Sequence, residues 1–329
     1  MTSNLIQKLC ENAWNRVPLK IQPLQESGSR RRYFRVFLED TTYIACFSEN
    51  IQENVTFISL TRYLQSRVVK VPEILAVSAD SKAYILQDLG DSDLLSILTR
   101  RESFSDIRGL LEKVIKGLVE FQTLPKGEWE RIVEFPPLDS GLINNDFEYA
   151  ITNLILPLNV PFDEESIRLD FRKLEHRLLD YPLPLWGLMF RDFQSRNIMV
   201  YHKIPYFIDY QSSRYGPGIY DIVSFAWQAK AGFSNKERER IITLYGDSLE
   251  IHHPGSLQTV LDSFSYWAMF RIIQTLGAYG LRGLKEGKKH FIESIPLAVN
   301  NLIEILDVYG LSVEYPEIYR VMLSLKTFL

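Results

Sequence analysis

The sequence predicts an α+β protein with two unequal lobes: a small antiparallel sheet with one helix beside it, then a larger, mostly helical lobe. Short runs of alternating, β-branched or aromatic residues occupy much of 19–87, whereas apolar residues at helical spacing dominate from 93 onward. Strands and helices therefore do not alternate, which disfavours a doubly wound parallel sheet. A chain of 329 residues is also long enough to divide its core between two lobes.

The first lobe begins with a predicted helix at 4–16, where apolar residues recur every three or four positions. Short runs separated by turn residues then predict five strands and one further helix. The strands are expected at 19–25, 33–38, 42–47, 73–78 and 84–87, and the helix at 51–66. The polar, turn-forming segment 87–92 is the predicted joint, so we expect the first lobe at 1–88 and the second at 89–329.

Helical spacing dominates the second lobe. Helices are predicted at 93–99, 106–124, 141–157, 164–180, 220–230, 235–250, 256–281, 289–309 and 316–328. The exception is a compact island in which 187–191 leads into a polar loop, followed by a predicted hairpin of 197–201 and 205–209.

Composition narrows the class of protein. The chain is 46% hydrophobic and 24% charged with a formal net charge of -4, which argues against a general nucleic-acid footprint. Cys10 and Cys46 stand far apart, so we expect a reducing, cytoplasmic setting. The amino-terminal residues lack the apolar core of a signal peptide. The apolar stretch 263–281 contains Arg271 and Gln274, which predicts a buried helix rather than a membrane span. No pattern in the sequence indicates an oligomeric state.

The island carries an ordered set of polar residues between apolar stretches. Asp192 and Asn197 stand five positions apart in the loop, and Asp209 ends an apolar strand. Taken singly, such residues most often cap turns. Together they supply what a magnesium–nucleotide site needs, because Mg²⁺ prefers a few hard oxygen ligands beside the phosphates. A further carboxylate must accept or orient the proton of the attacking hydroxyl.

The series R-D-x4-N, I-D and G-P-x-x-Y-D resembles the catalytic and metal loops of the aminoglycoside phosphotransferase and choline kinase superfamily, relatives of protein kinases. It is similar in more detail to bacterial cell-wall amino-sugar kinases, which phosphorylate the anomeric hydroxyl of N-acetylmuramate or N-acetylglucosamine. The resemblance implies a protein-kinase-like fold, ATP and Mg²⁺, and a small-molecule acceptor, a sugar above all. It implies Asp192 as catalytic base, Arg191 in the arginine position before it, Asn197 and Asp209 as magnesium ligands, and Asp221 as a brace of the loop.

The resemblance extends to the first lobe. It implies a nucleotide-covering loop, a hinge whose backbone groups pair with adenine, and an acid at Glu53. The nucleotide-binding residues expected in the loop and hinge are Gly28, Ser29, Arg32, Arg35, Gln87, Asp88 and Leu89. Two positions depart from the superfamily. No lysine lies between Lys20 and Lys70, so the usual third-strand lysine is missing, and Phe190 replaces a common histidine. We hypothesise that an arginine of the 30–35 cluster supplies the missing cation.

Three alternatives remain open at this level. The acceptor can be an aminoglycoside, choline, homoserine or a nucleoside on the same fold. A protein kinase is disfavoured because no long activation loop follows Asp209. A nucleotide-binding pseudokinase is kept open by the missing lysine and by Phe190.

Asp146 and Glu148 offer acids to a sugar hydroxyl, but an ordinary solvated helix face is expected for both.

Overall fold

The computed structural model describes residues 2–24 and 31–328. Gly28, Ser29 and Arg30 lie outside these residues. The first strands and helices are α1 (Thr2–Trp14), β1 (Lys20–Pro23), β2 (Arg32–Phe37), β3 (Thr42–Phe47), α2 (Ile51–Gln65), β4 (Ile74–Val77) and β5 (Ala83–Gln87). The five strands form one antiparallel sheet in the order β1-β2-β3-β5-β4. The predicted sheet is confirmed.

The two faces of this sheet have different partners. Phe34 pairs with Ala45, and Val36 and Ala45 pack with Ile6 and Cys10 of α1. Side chains alternate along a strand, so the neighbouring pair Tyr33 and Cys46 lies on the other face. There Cys46 and the partly buried Tyr33 join the core that continues into the helical part of the chain.

The remainder is mainly helical. Its helices are α3 (Leu94–Arg100), α4 (Phe104–Gln122), α5 (Lys126–Trp129), α6 (Ser140–Ala150), α7 (Glu164–Leu179), α8 (Ile219–Ala226), α9 (Asn235–Glu250), α10 (Ser256–Tyr279), α11 (Lys289–Ile292), α12 (Ile295–Val308), α13 (Leu311–Glu314) and α14 (Pro316–Phe328). Four short strands lie among them: β6 (Trp186–Met189), β7 (Ile198–Tyr201), β8 (Ile204–Phe207) and β9 (Arg214–Pro217). This helical part confirms the predicted fold class, while the division at residues 88 and 89 stays a prediction.

The sheet and the helical part share packed contacts. Phe57 of α2 stacks on Tyr210, with ring centroids 5.3 Å apart. The Thr61 hydroxyl lies 2.6 Å from the Tyr210 hydroxyl. Such a buried polar pair constrains the position of α2 relative to the hairpin that precedes Tyr210.

Some boundaries differ from the sequence prediction. The helix predicted at 141–157 ends as α6 at Ala150 and continues as a π-helical turn over Ile151–Ile155. A second π-helical turn, Gly280–Lys285, follows α10 and contacts the first. A Cβ on Gly280 would lie 2.2 Å from the Asn153 carbonyl oxygen, so only glycine permits this approach. The helix predicted at 289–309 is divided into α11 and α12.

The predicted hairpin of the island is confirmed as β7 and β8. The fourth strand, β9, was not predicted, and it pairs antiparallel with β6 so that Met189 lies opposite Arg214. Within 2–24 and 31–328, no helix combines the length and apolar character that a membrane crossing requires.

Candidate active site

The loop between β6 and β7 carries Asp192 and is held by hydrogen bonds at both ends. Asn197 Nδ2 donates to the Asp192 carbonyl oxygen at 2.9 Å. Ser195 donates to Gln228 Oε1 through its backbone N–H at 3.0 Å and its hydroxyl at 2.6 Å. None of these bonds uses the Asp192 carboxylate, so that group remains available for chemistry.

Asp221 of α8 anchors the beginning of the loop. Its carboxylate is fully buried and accepts hydrogen bonds from the backbone N–H groups of Phe190 at 2.7 Å and Arg191 at 2.9 Å, and from Gln122 Nε2 at 2.8 Å. Arg191 has a φ of 79°, a left-handed conformation that is unfavourable for arginine. The bonds to Asp221 stabilise that conformation and so orient Asp192, the next residue.

Phe190, one of the two departures noted in the sequence, is a packing residue. It is fully buried and contacts other aromatic rings, including Phe121 and Phe193, each with ring centroids 5.3 Å away. The loop is therefore supported by aromatic packing below and by the Asp221 carboxylate at its start.

The hairpin of β7 and β8 brings Asn197 and Asp209 to the same region as Asp192. The Ile208 N–H donates to the Asn197 carbonyl oxygen at 3.0 Å, which places the following residue, Asp209, beside the loop. Asp209 is itself left-handed, with a φ of 67°, and accepts a hydrogen bond from Gln211 Nε2 at 3.0 Å. The loop and the hairpin thus place Asp192, Asn197 and Asp209 near one another, while their catalytic and magnesium-binding roles stay a prediction.

The donor set fits Mg²⁺ bound jointly with phosphates. Asn197 uses its amide nitrogen to hold the loop, which leaves its side-chain oxygen for a cation, and Asp209 offers a carboxylate. No group of three or more His, Cys, Asp or Glu able to enclose a metal is found in the described part of the chain. A site with one carboxylate and one amide oxygen suits a magnesium ion that keeps waters and nucleotide oxygens among its ligands.

Across the cleft between the five-stranded sheet and the β6–β7 loop lie Arg31, the residue before β2, and Glu53 of α2. The Arg31 side chain is only 2% exposed, and its Nη2 lies 2.6 Å from Glu53 Oε1 and 3.8 Å from Asp209 Oδ1. Arg31 Nη1 also donates to the Tyr33 hydroxyl at 3.1 Å. Glu53 is held by Asn50, whose side chain caps α2 and donates to Glu53 Oε2 at 3.3 Å. A buried guanidinium therefore faces the region of Asp209.

The other predicted arginines lie elsewhere. Arg32 is on the opposite face of β2, where its Nη2 donates to Thr2 Oγ1 at 2.8 Å and its guanidinium lies over the Phe47 ring at 4.9 Å. The structure therefore does not bring Arg32 to Asp209. Arg35 lies on the cleft face, but it pairs with Asp88 and Asp91, each at 2.7 Å.

The hinge residues occupy the joint between β5 and α3. The Gln87 N–H donates to the Glu73 carbonyl oxygen at 2.9 Å, so this side of Gln87 is engaged by the sheet. The Asp88 carboxylate is occupied by Arg35 and by the Gly90 N–H at 2.9 Å. Leu89 is buried. The two predicted nucleotide-binding residues Arg35 and Asp88 thus bind each other and tie β2 to the joint.

The expectation that Asp146 lies on a solvated helix face is wrong. Its side chain is 17% exposed, and Oδ2 accepts a hydrogen bond from Arg191 Nη2 at 3.3 Å. Burial raises the pKa of Asp146, while Arg191 acts in the opposite direction. Glu148, by contrast, is half exposed and pairs with Arg168, as a solvated face requires. The helical spacing of the apolar residues Ile143, Phe147 and Ala150 defines the buried face of α6. That spacing could have shown that Asp146 lies nearer this face than Glu148 does.

Comparison with known proteins agrees with this geometry. The sequence model of the phosphotransferase enzyme family, APH, matches residues 20–256, which is most of the chain. The chain belongs to this phosphotransferase family. Solved structures confirm the kinase-like fold: choline kinase from Cryptosporidium parvum has a TM-score of 0.66 at 14% identity and covers 99% of each chain. A putative aminoglycoside phosphotransferase from Ralstonia eutropha has a TM-score of 0.65 at 11% identity, covering 93% of this chain and 98% of that one.

Three curated relatives bear the same name, N-acetylmuramate/N-acetylglucosamine kinase. The protein from Pseudomonas putida is 24% identical over 298 residues, covering 87% of this chain and 84% of the relative. The protein from Neisseria meningitidis is 26% identical over 308 residues, covering 86% and 87%. The amino-sugar resemblance found in the sequence is confirmed, and this phosphotransferase is a small-molecule kinase.

The Asp221 carboxylate predicts a pH-dependent stability for this phosphotransferase. Burial raises the pKa of Asp221 to about 7, and the hydrogen bonds from Phe190, Gln122 and Arg191 oppose that rise. An unfolded aspartate has a pKa of about 3.9. The contribution of Asp221 to the free energy of unfolding is therefore complete below about pH 4 and is lost as the pH rises through about 7.

Asp221→Asn removes that titration and places an amide N–H₂ opposite the Arg191 N–H. Leaving one buried donor unsatisfied should cost about 1–3 kcal/mol of unfolding free energy near pH 5. The advantage of the wild type over the variant should then shrink toward about pH 8. Urea unfolding of both proteins across this range measures it. A difference that stays constant with pH would contradict the assignment to Asp221.

Proposed function

We propose that this protein transfers the terminal phosphoryl group of Mg-ATP to the anomeric hydroxyl of an amino sugar, N-acetylmuramate or N-acetylglucosamine. The observation that supports it most is the convergence of Asp192, Asn197 and Asp209 opposite the buried Arg31, which is paired with Glu53. The curated relatives, which match along most of their length, are named for these two sugars.

In this proposal Asp192 is the catalytic base. Its carboxylate accepts the proton of the acceptor hydroxyl as that oxygen attacks the phosphorus, and the bond to the leaving ADP oxygen breaks. Asn197 holds the loop through its amide nitrogen and offers its oxygen, with the Asp209 carboxylate, to Mg²⁺. When bound, Mg²⁺ neutralises charge on the phosphates. Arg191 is a positioning residue, because its guanidinium binds Asp146 and so helps to hold the loop that carries Asp192.

Arg31 takes the role that a third-strand lysine has in the superfamily. A guanidinium already in contact with Glu53 and near Asp209 adds a fixed positive charge where phosphate oxygens would lie. Arg32, which the sequence suggested for nucleotide binding, lies on the opposite face, so we propose Arg31 in its stead. A fixed Arg31 also makes a pseudokinase the weaker alternative.

The remaining nucleotide contacts are proposed on the sheet side. Backbone groups of Gln87 and Leu89 would meet adenine, while Arg35 and Asp88 keep the hinge in register with β2. Gly28 and Ser29 would contribute backbone N–H groups over the phosphates. Residues 1–88 would then form the nucleotide-covering lobe of a cytoplasmic enzyme.

The proposal is tested by ADP release from Mg-ATP with a panel of acceptors: N-acetylmuramate, N-acetylglucosamine, other hexoses, aminoglycosides, choline and homoserine. We expect turnover with the amino sugars and a phosphate on the anomeric carbon, identified by phosphorus NMR of the product. Turnover confined to aminoglycosides or choline would keep the reaction and reject the amino-sugar acceptor. ATP binding without turnover of any acceptor would favour a pseudokinase.

A further inference from the structure

Three arginines from the β6–β7 loop, β9 and α10 lie near Tyr220, and their partners differ. Arg191 is paired with Asp146 at 3.3 Å. Arg271 donates to the neutral groups of Ser224, Gln274 and Thr275. Arg191 and Arg271 both lie over the ring of Tyr220, at 5.2 Å and 5.5 Å. The third arginine, Arg214, has no such set of partners.

Arg214 is 93% buried, since its relative exposure is 7%. Its guanidinium lies over the Phe135 ring at 5.2 Å. Its Nε is buried without a hydrogen-bond partner, and within 2–24 and 31–328 no carboxylate lies within ion-pair distance of the guanidinium. An uncompensated buried charge is costly, so a guanidinium held this way is poised for an anion that arrives from outside.

The position of Arg214 relates it to the acceptor side of the site. Arg214 is the first residue of β9 and pairs with Met189 of β6. Met189 stands three residues before Asp192 in the sequence. The charged and titratable groups that act on Arg214 are Arg191, Tyr220, Asp146 and Asp192. Of the two carboxylates, Asp146 is already paired with Arg191. The guanidinium therefore shares its surroundings with the proposed catalytic base.

Other polar atoms of the same segment also lack protein partners. Gln211 Oε1 and Ser212 Oγ, which precede Arg214, are buried without hydrogen bonds, as is Arg191 Nη1. Buried polar atoms are normally satisfied, so unsatisfied ones on Arg191 and on the segment 211–214 together indicate a ligand site rather than chance. They offer two donors and an acceptor in addition to the charge.

We propose that Arg214 forms an anion-binding subsite beside Asp192 that takes a carboxylate of the acceptor. N-acetylmuramate differs from N-acetylglucosamine by a lactyl ether that carries such a carboxylate, so Arg214 makes the acidic sugar the preferred acceptor. A guanidinium suits this role because it binds a carboxylate in bidentate fashion and stays charged when buried. The inference rests on the proposed function for the sugar class, but it concerns binding and not transfer.

The test is calorimetric binding of both sugars to the full chain, with Mg²⁺ and a non-hydrolysable ATP analogue, for wild type, Arg214→Met and Arg214→Lys. Charge-assisted hydrogen bonds of this kind correspond to roughly 10- to 100-fold in affinity. We expect Arg214→Met to lose that factor for N-acetylmuramate and at least about tenfold less for N-acetylglucosamine, with Arg214→Lys between wild type and Arg214→Met. Arg177→Met is the matched control, because Arg177 also lies over an aromatic ring, Tyr266, but is on the protein surface.

The methyl ester of N-acetylmuramate supplies a second measurement that needs no variant. Wild type should bind this neutral ester roughly 10- to 100-fold less tightly than the free acid. Equal binding of acid and ester, or equal losses for both sugars in Arg214→Met, overturns the proposal, and so does the failure of N-acetylmuramate to bind. Binding that depends on Arg214 without phosphate transfer would instead reject the proposed function and leave the subsite standing. Phosphate transfer to both sugars that does not depend on Arg214 would support the proposed function and reject the subsite.

Discussion

Asp192→Asn should lower kcat for the amino sugar by roughly 10²–10⁴-fold and leave the affinity for ATP almost unchanged. Asparagine has the same shape but cannot accept the proton of the attacking hydroxyl at neutral pH. The substitution should not disturb the loop, because Asp192 is held through its backbone carbonyl oxygen, which Asn197 binds. The loss should therefore fall on the chemical step, and single-turnover kinetics with saturating Mg-ATP would measure it.

Asp247→Asn is the matched control for this variant. Asp247 is an exposed aspartate of α9, so the same chemical change there should leave kcat within about twofold and unfolding by urea unchanged. Full activity in Asp192→Asn would remove Asp192 as the base. Asp146 would then be the next carboxylate to test, because burial raises its pKa and it lies beside Arg191.

The spacing of apolar residues along the chain was sufficient to predict most of the fold. Phe34 and Val36 stand two positions apart with Arg35 between them, as on one face of a strand, and α4 shows apolar residues at helical spacing. Strand β9 was not predicted because its four residues, Arg214–Pro217, include a glycine and a proline, which are poor strand signals. The two π-helical turns depend on close contact between distant segments at Gly280, and no local pattern encodes that contact.

The candidate site likewise has residues that the sequence predicted and residues that it did not. Asp192, Asn197 and Asp209 fall within one short segment, so their spacing alone suggested that a hairpin brings them together. Arg31 and Asp146 come from other segments, and only tertiary structure brings them to the cleft. Their orientation could still have been inferred in part.

Strand parity distinguishes the arginines of the 30–35 cluster. Apolar Phe34 and Val36 face α1, so the even positions of β2 point away from the cleft and the odd positions toward it. That argument selects Arg31 over Arg32, although both stand in one basic run. It required knowing which apolar face α1 covers, and the sequence did not specify that.

Arg31→Met should lower kcat/KM for ATP by roughly 10²–10³-fold, the loss typical of removing one fixed donor that stabilises developing charge. The side chain is buried against Glu53 and lies 3.8 Å from Asp209, so its charge acts where solvent does not screen it. Methionine keeps much of the length and apolar contact of arginine while removing the charge. Steady-state kinetics with varied Mg-ATP and saturating acceptor would measure the effect.

Arg32→Met is the matched control, because it removes the same charge from the next residue of the chain, the first of β2. Arg32 contacts Thr2 and Phe47 on the opposite face, so its loss should change kcat/KM for ATP by no more than about twofold. Arg31→Lys should recover part of the activity, since an ammonium keeps the charge without the bidentate geometry. Urea unfolding of each variant separates lost folding from lost phosphate binding. A larger defect in Arg32→Met than in Arg31→Met would return the missing cation to the other face of the strand and reject Arg31 as its source.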